Sequence, residues 1–219
     1  MTTAHEPVPA PAPRSVRHSR DDVAETALRI LDEHGLPDLT MRRLAAALDV
    51  QPSALYWHFP NKQTLLAELS DRIASRGRAL PDTSADWMLV TAAEATGLRD
   101  ALLTYRDGAE VVSSSFALGL GASVPLERLE NAVRLGGFDD ETTSRASTAL
   151  LHFVLGHVSH EQQRMQYDSM GVAAGPETPD DSAAAFAFGV RLFVEGLRQL
   201  ADHADANRHA GGRRGGDAG

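Results

Sequence analysis

Apolar residues recur at helical spacing along most of the chain, and no run shows the strict alternation of a strand, so the pattern predicts an all-α protein. Ser19 with Asp22 gives a capping signal, after which Val23, Ala27, Ile30 and Leu31 share a face until "EHGLPD" stops the helix at Gly35 and Pro37. Thr40 is a good N-cap for a short second helix, "MRRLAAALDV", whose Leu44, Ala45 and Leu48 form its inward stripe. Asp49 and Val50 turn the chain, and Pro52 opens a third short helix, where its missing N–H costs nothing and its φ is already helical. Pro60 ends that helix. Asn61 then caps a fourth, running through Leu65, Leu66, Leu69 and Ile73.

Further amphipathic stretches follow the break at "RALPDTS": about 86–105, around 109–118, and 126–135 ending at Gly136 and Gly137. Two long ones, about 141–167 and 182–203, flank the Gly-, Pro- and acid-rich loop "SMGVAAGPETPDD". Leu150, Leu151, Val154, Leu155 and Val158 recur on the first, and Phe186, Val190, Phe193, Val194 and Leu197 on the second. Apolar arcs this wide need cover on more than one side, and Gly156, Gly189 and Gly196 allow close approach of neighbours. A four-helix interface between two copies is the favoured reading, with an ordinary intramolecular core as the alternative. The expected division is a disordered arm over 1–18, a three-helix head over 19–66, a larger helical domain over 67–206 and a disordered tail over 207–219.

Composition narrows the class. The chain has 219 residues and no cysteine, so disulfide scaffolds, thiolate metal sites and cysteine nucleophiles are excluded. The N-terminal "MTTAHEPVPAPAPRSVRHSR" lacks the basic start and apolar core of a secretory signal, and "LLHFVLGHV" is too short to span a bilayer. A cytoplasmic protein with no membrane partner is expected. The net charge of −9 at first argues against a nucleic-acid partner, but charge is segregated. Between Thr40 and Lys62 stand Arg42, Arg43 and Lys62 against Asp49 alone, while acid gathers in "FDDETT" and "GPETPDD"; Lys62 is the sole lysine of the chain.

A supporting helix followed by two short helices joined by a tight turn is the layout of a helix-turn-helix unit. In that geometry Pro52, Ser53 and Ala54 face base edges. Tyr56, Trp57 and His58 reach sugars and phosphates with polar tips on flat apolar bodies, while Leu55 and Phe59 point inward. Three consecutive residues spread around most of a helix, so the three rings cannot all be core. Lys62 sits in the first turn of the next helix, where a cation is poor for helix stability and a phosphate contact supplies a motive. Arg14, Arg17 and Arg20 make the N-terminal arm either a solvated tail or a basic strand lying along DNA.

"LTMRRLAAALDVQPSALYWHFPNKQTLLAEL" resembles the DNA-binding domain of the tetracycline repressor (TetR) family, and "LLTYRDGAEVV" and "ALLHFVLGHVSHEQQ" resemble that family's ligand-binding domain. The resemblance implies a homodimer with two reading heads on double-stranded operator DNA and a small-molecule effector pocket in each C-terminal domain. It carries over Thr40 and Arg42 in the supporting helix, Pro52, Ser53 and Ala54 at the base-reading edge, Tyr56, Trp57 and His58 on the backbone, and Lys62 on a phosphate. Pro52, Ser53 and Ala54 lack the amide that the family's repressor of tetracycline resistance places there, so a different operator is implied. Glu94, Leu98 and Val112 stand where that repressor holds an Asn and a Phe that grip the drug and a His that ligates its magnesium. A tetracycline–magnesium effector is therefore not expected, and a different hydrophobic or polycyclic molecule is. Tyr105, Phe116, His152 and His157 complete the candidate lining.

"HFVLGHVSHEQQ" puts His157, His160 and Glu161 on one helical face, with His152 to one side. Such spacing admits a metal, although neither a zinc-peptidase motif nor the Glu-x-x-His pairs of a di-iron bundle is present; pocket lining and an exposed face are the alternatives. Ser113, Ser114 and Ser115 form no nucleophile elbow, and no phosphate-binding glycine loop occurs. The expectation is a regulator, not an enzyme, with no cofactor and no resident metal. An effector-independent DNA-binding protein and a helical enzyme built on the His152, His157 and His160 cluster are the rival readings.

Overall fold

The computed structural model describes residues 18–76, 86–121, 123–172 and 178–214, with no account of the side chains at 179 and 203–214. The predicted N-terminal arm with Arg14 and Arg17, the break at "RALPDTS", the centre of the "SMGVAAGPETPDD" loop and the last five residues lie outside the described residues. Among the described residues there are nine helices and no strand.

Local chemistry accounts for the first four helices. α1 (Arg20–His34) starts on a complete capping box: Ser19 Oγ accepts from the Asp22 amide at 3.1 Å, and the Asp22 carboxylate accepts from the Ser19 amide at 2.7 Å. It stops at Gly35, whose φ of +83° suits a residue without Cβ. α2 (Met41–Ala47) is capped by Thr40, whose hydroxyl accepts from the Arg43 amide at 3.1 Å. Asp49 at φ +53° turns the chain into α3 (Pro52–Leu55).

α3 is shorter than its pattern predicts. After Leu55 the chain forms a turn in which the His58 and Phe59 amides both donate to the Leu55 carbonyl, at 3.0 and 2.9 Å. Pro60 closes this turn, because the residue before a proline, here Phe59, is pushed out of helical conformation. Asn61 then caps α4 (Lys62–Ser75) by accepting from the Thr64 amide at 2.8 Å.

The larger domain comprises α5 (Trp87–Leu103), α6 (Gly108–Ala117), α7 (Ser123–Arg134), α8 (Asp140–Ser169) and α9 (Pro179–Arg214). The predicted division at 66/67 falls inside α4, which packs against α1 on one side and against α6 and α7 on the other. α9 continues to Arg214, beyond the point where a disordered tail was expected.

One apolar core runs from the head into the larger domain, joining Leu28, Phe59 and Leu69 to Leu102, Val112, Leu151 and Val190. The stripes singled out in the sequence serve this core, so an interface between two copies has to use other positions of the same helices. Leu150, Leu151, Val154, Leu155 and Val158 of α8, and Phe186, Val190, Val194 and Leu197 of α9, are buried within the single chain, with Phe193 half-buried. The two stripes close on the body of their own subunit because α5 and α7 cover them. Gly189 permits the approach: a Cβ there would stand 2.3 Å from the ring of Phe153. Gly156 and Gly196, by contrast, face open space.

Candidate nucleic-acid interface and effector domain

Most of the predicted reading residues of the head are exposed, while their neighbours anchor it. Leu55 and Phe59 are buried, and the Arg20 guanidinium lies 4.5 Å above the Phe59 ring. Between them Tyr56 is 48% exposed and Trp57 89% exposed. A tryptophan so bare gains little from folding, since its apolar face stays in water. His58 is half-buried, and its carbonyl accepts from Arg20 Nη1 at 3.4 Å. Pro52 and Ser53 are exposed and Ala54 is half-buried.

The two arginines of α2 differ in their freedom. Arg43 is paired with Asp38 at 2.9 Å, whereas Arg42 is exposed and, among the described residues, its side chain has no hydrogen-bond or ion-pair partner. Thr40 spends its hydroxyl on the cap. Lys62 is half-buried at the start of α4, with Nζ 3.5 Å from the Leu36 carbonyl, at the outer limit of a hydrogen bond. His18 Nε2 lies 2.9 Å from the Leu48 carbonyl, tying the start of the described chain to the turn of the motif.

A network of charges holds α1 against α4. Arg20 meets Glu68 at 2.8 Å, Arg72 meets Asp21, Glu25 and Glu68, and Arg76 meets Glu25 at 3.2 Å. Burial pushes the Glu68 carboxyl up, but hydrogen bonds and charge from Arg20 and Arg72 outweigh it and hold the group below its ordinary range. Burial works against the Arg72 cation too, and hydrogen bonds with Asp21 and Glu68 again prevail, raising its pKa.

The predicted effector residues do not form one lining. Leu98 and Val112 are sealed in the core. Glu94 is buried in an ion pair with Arg128 at 2.6 Å. Tyr105 is buried beneath the Arg76 guanidinium, 5.2 Å from its ring centre, and burial pushes its phenol up. Phe116 is half-buried with its ring edge-on to exposed His152 at 5.6 Å. His157 packs on Phe153 and Phe186, and its Nε2 lies 3.2 Å from the Ser182 carbonyl and 3.3 Å from the Ser182 hydroxyl. Glu161 turns away from the histidines into a buried, two-pronged pair with Arg99. Among the described residues no three His, Asp or Glu side chains gather to hold a metal ion.

Several clefts open in this domain. One of about 250 Å³ between α5 and α9 is lined largely by Met88, Leu89, Ala92, Val190 and Val194; another of about 310 Å³ lies where Tyr105, Asp107, Gln162 and Gln166 meet. Neither is lined by Glu94, Leu98 or Val112. Sequence reading missed Asp107, Gln162 and Gln166. Gln162 donates to the Leu102 and Tyr105 carbonyls at 3.0 and 2.8 Å and accepts from the Ala109 amide at 3.2 Å, fastening α8 to the α5–α6 turn. An Asp ahead of a Gly in "YRDGA" was the available signal of a special turn, and Asp107 does adopt φ +57°.

A helix-turn-helix head with an exposed aromatic edge, set on a larger helical body, defines a DNA-binding transcriptional regulator. Residues 23–69 match the bacterial regulatory proteins of the tetR family, and residues 80–176 match the tetracyclin repressor-like C-terminal domain. The chain belongs to the TetR family. It is 33% identical to tetracycline repressor protein class E of Escherichia coli over 202 residues, covering 85% of this chain and 93% of that one. Among solved structures it resembles Mycobacterium smegmatis BioQ, with 42% identity, a TM-score of 0.74 and coverage of 82% and 97% of the two chains. It also resembles BioQ with its double-stranded DNA operator, at 40% identity, TM-score 0.66 and coverage of 82% and 98%. A single-site variant of TetR from Acinetobacter baumannii in complex with minocycline is similar at 33% identity, TM-score 0.67 and coverage of 84% and 98%. No described helix is long and apolar enough to cross a membrane.

Proposed function

We propose that this protein is a homodimeric, cytoplasmic repressor that leaves a pseudo-palindromic operator when a small hydrophobic or polycyclic effector binds its larger domain. The exposure of Tyr56 and Trp57, together with an exposed Arg42 whose side chain has no partner among the described residues, while Leu55 and Phe59 hold the same turn from inside, is the observation that carries the reading. Arg42 reads a base edge, Pro52, Ser53 and Ala54 line the groove, Thr40, Tyr56, Trp57 and His58 contact the backbone, and Lys62 meets a phosphate. Half-site centres about one helical turn apart follow from two such heads. The relatives seen with an operator and with a polycyclic drug support both halves of the proposal.

The dimer uses the outward faces of α8 and α9. Phe188 and Leu192 are 53% and 59% exposed there, and Gly156 and Gly196 leave room for close approach. Effector binding acts on α4 and so on the spacing of the heads; a coupling of about 1–3 kcal/mol makes a useful switch. Glu94, already engaged by Arg128, and the sealed Leu98 and Val112 support an effector other than a tetracycline–magnesium complex. Contacts from Tyr105, Phe116, His152 and His157 remain part of the proposal. A regulator of this kind needs no catalytic step, and none is assigned.

Footprinting on the DNA flanking its own gene tests the head: one protected pseudo-palindrome is expected, and a lack of protection overturns the reading. A screen for compounds that raise the melting temperature, repeated on the footprint, identifies the effector.

A further inference from the structure

Helix α4 is gripped on two sides by different chemistry. Its Glu68, Arg72 and Arg76 form one stripe, salt-bridged to Arg20, Asp21 and Glu25 at the start of α1. Ala67, Asp71 and Ala74 form another, one turn apart along the helix, and face the α6–α7 segment. Gly121 lies so close to Ala67 that a Cβ would come within 2.8 Å of its backbone, and the Val124 amide donates to the Asp71 carboxylate at 3.4 Å. At the end of the row Arg128 Nη1 donates to the Ala74 carbonyl at 2.6 Å.

The same guanidinium donates through Nε to Glu94 at 2.6 Å. Glu94 is 2% exposed and the Arg128 side chain 21%, so the carboxylate is locked in place by burial while the arginine spans α7, α5 and the last turn of α4. That last turn carries carbonyls without intrahelical partners and the negative end of the helix dipole, which a guanidinium suits. We propose that Arg128, held by Glu94, is a positioning residue that fixes the C-terminal end of α4, and with it the head, relative to the larger domain. The acidic residue at a sequence position read as an effector contact thus acts as an anchor. The regulatory meaning rests on the head being the DNA reader; the positional claim does not.

A distance measured within one chain tests it. The chain has no cysteine, so Ala46→Cys in α2 and Ser144→Cys in α8, both exposed, take a pair of probes without side reactions. Doubly labelled full-length chain is diluted into unlabelled chain, so each assembly reports one head-to-body distance. Removing Arg128 alone strands a buried carboxylate and risks unfolding, so the test variant is Glu94→Gln with Arg128→Met, which removes both charges together. A helical, folded variant with a shifted or broadened distance distribution is expected. Should that variant fail to fold, Arg128→Lys replaces it, because a single ammonium cannot keep both partners in a planar fork, and the same change is expected. An unaltered distribution in folded protein overturns the proposal. Arg134→Ala, at an exposed position on the same helix, controls for general loosening of α7 and should change nothing. A protein that binds no operator but shows the shift sinks the DNA reading alone; intact operator binding with no shift sinks the anchor alone.

Discussion

Asp107 Oδ2 accepts the backbone N–H of Leu36 at 2.8 Å, joining the α5–α6 turn of the larger domain to the loop between α1 and α2. Its other oxygen accepts from Gln166 Nε2 at 2.7 Å, so one carboxylate ties the head to α8. The Leu36 carbonyl is approached in turn by Lys62. Gly35 makes this contact possible: it adopts φ +83°, and a Cβ would stand 2.8 Å from Asp107 Oδ2. Gly35→Ala should therefore cost about 1–3 kcal/mol through strain and displacement of Asp107. A clear fall in melting temperature is expected, and an unchanged one would show that the junction is softer than its geometry implies.

Arg42 and Lys62 should fail differently when truncated. Arg42→Ala removes a candidate base contact and should cost about 1–3 kcal/mol with relaxed preference at one base pair. Lys62→Ala should weaken binding to every sequence and reduce the salt slope by about one unit. Binding isotherms on operator and scrambled duplex at several salt concentrations separate the two.

Trp57 offers a cleaner dissection of binding from stability. At 89% exposure its removal should change folding free energy by no more than about 0.5 kcal/mol. Operator affinity should nevertheless fall for Trp57→Ala across sequences. Equal affinity in a titration would remove Trp57 from the interface.

The carboxylates predict the direction of the pH response. Glu68 is held low against its burial by Arg20 and Arg72, and Asp22, Asp139 and Asp181 are held low chiefly by backbone hydrogen bonds at Ser19, Thr142 and Thr178. A group with a depressed folded pKa binds fewer protons folded than unfolded, so its contribution is present above the unfolded value, about 4, and fades as pH falls through the folded one. The urea midpoint should decline below about pH 4.5 for these groups. Glu68→Gln should lower the neutral-pH midpoint and flatten that decline.

Leu192→Glu tests the assembly. The side chain is exposed in the single chain, so the subunit should keep its fold while the charge opposes pairing of two outward faces. Light scattering should show a monomer with unaltered helical circular dichroism; a persistent dimer would place the interface elsewhere.

Much of the head was legible because its signals are local. Ser19, Thr40 and Asn61 cap their helices through hydrogen bonds spanning three residues, and Pro52 and Pro60 bound the reading turn through fixed backbone torsions. The larger domain was legible as helices but not as a site. Its apolar arcs identify α8 and α9 without telling which side meets its own subunit, and Glu94 carries no local mark of its partner.

By itself the sequence determined the all-α class, the helix starts and stops, and the inward turn of Leu55 and Phe59 that leaves Tyr56 and Trp57 outside. Tertiary structure alone decided that the α8 and α9 stripes are internal, that Glu94 belongs to Arg128, and that Asp107 reaches the Leu36 peptide 71 residues away. Caps and turns are settled between neighbours a few residues apart, where geometry leaves few choices. Pairings between distant helices depend on how whole faces pack together, and no short stretch of chain encodes that outcome.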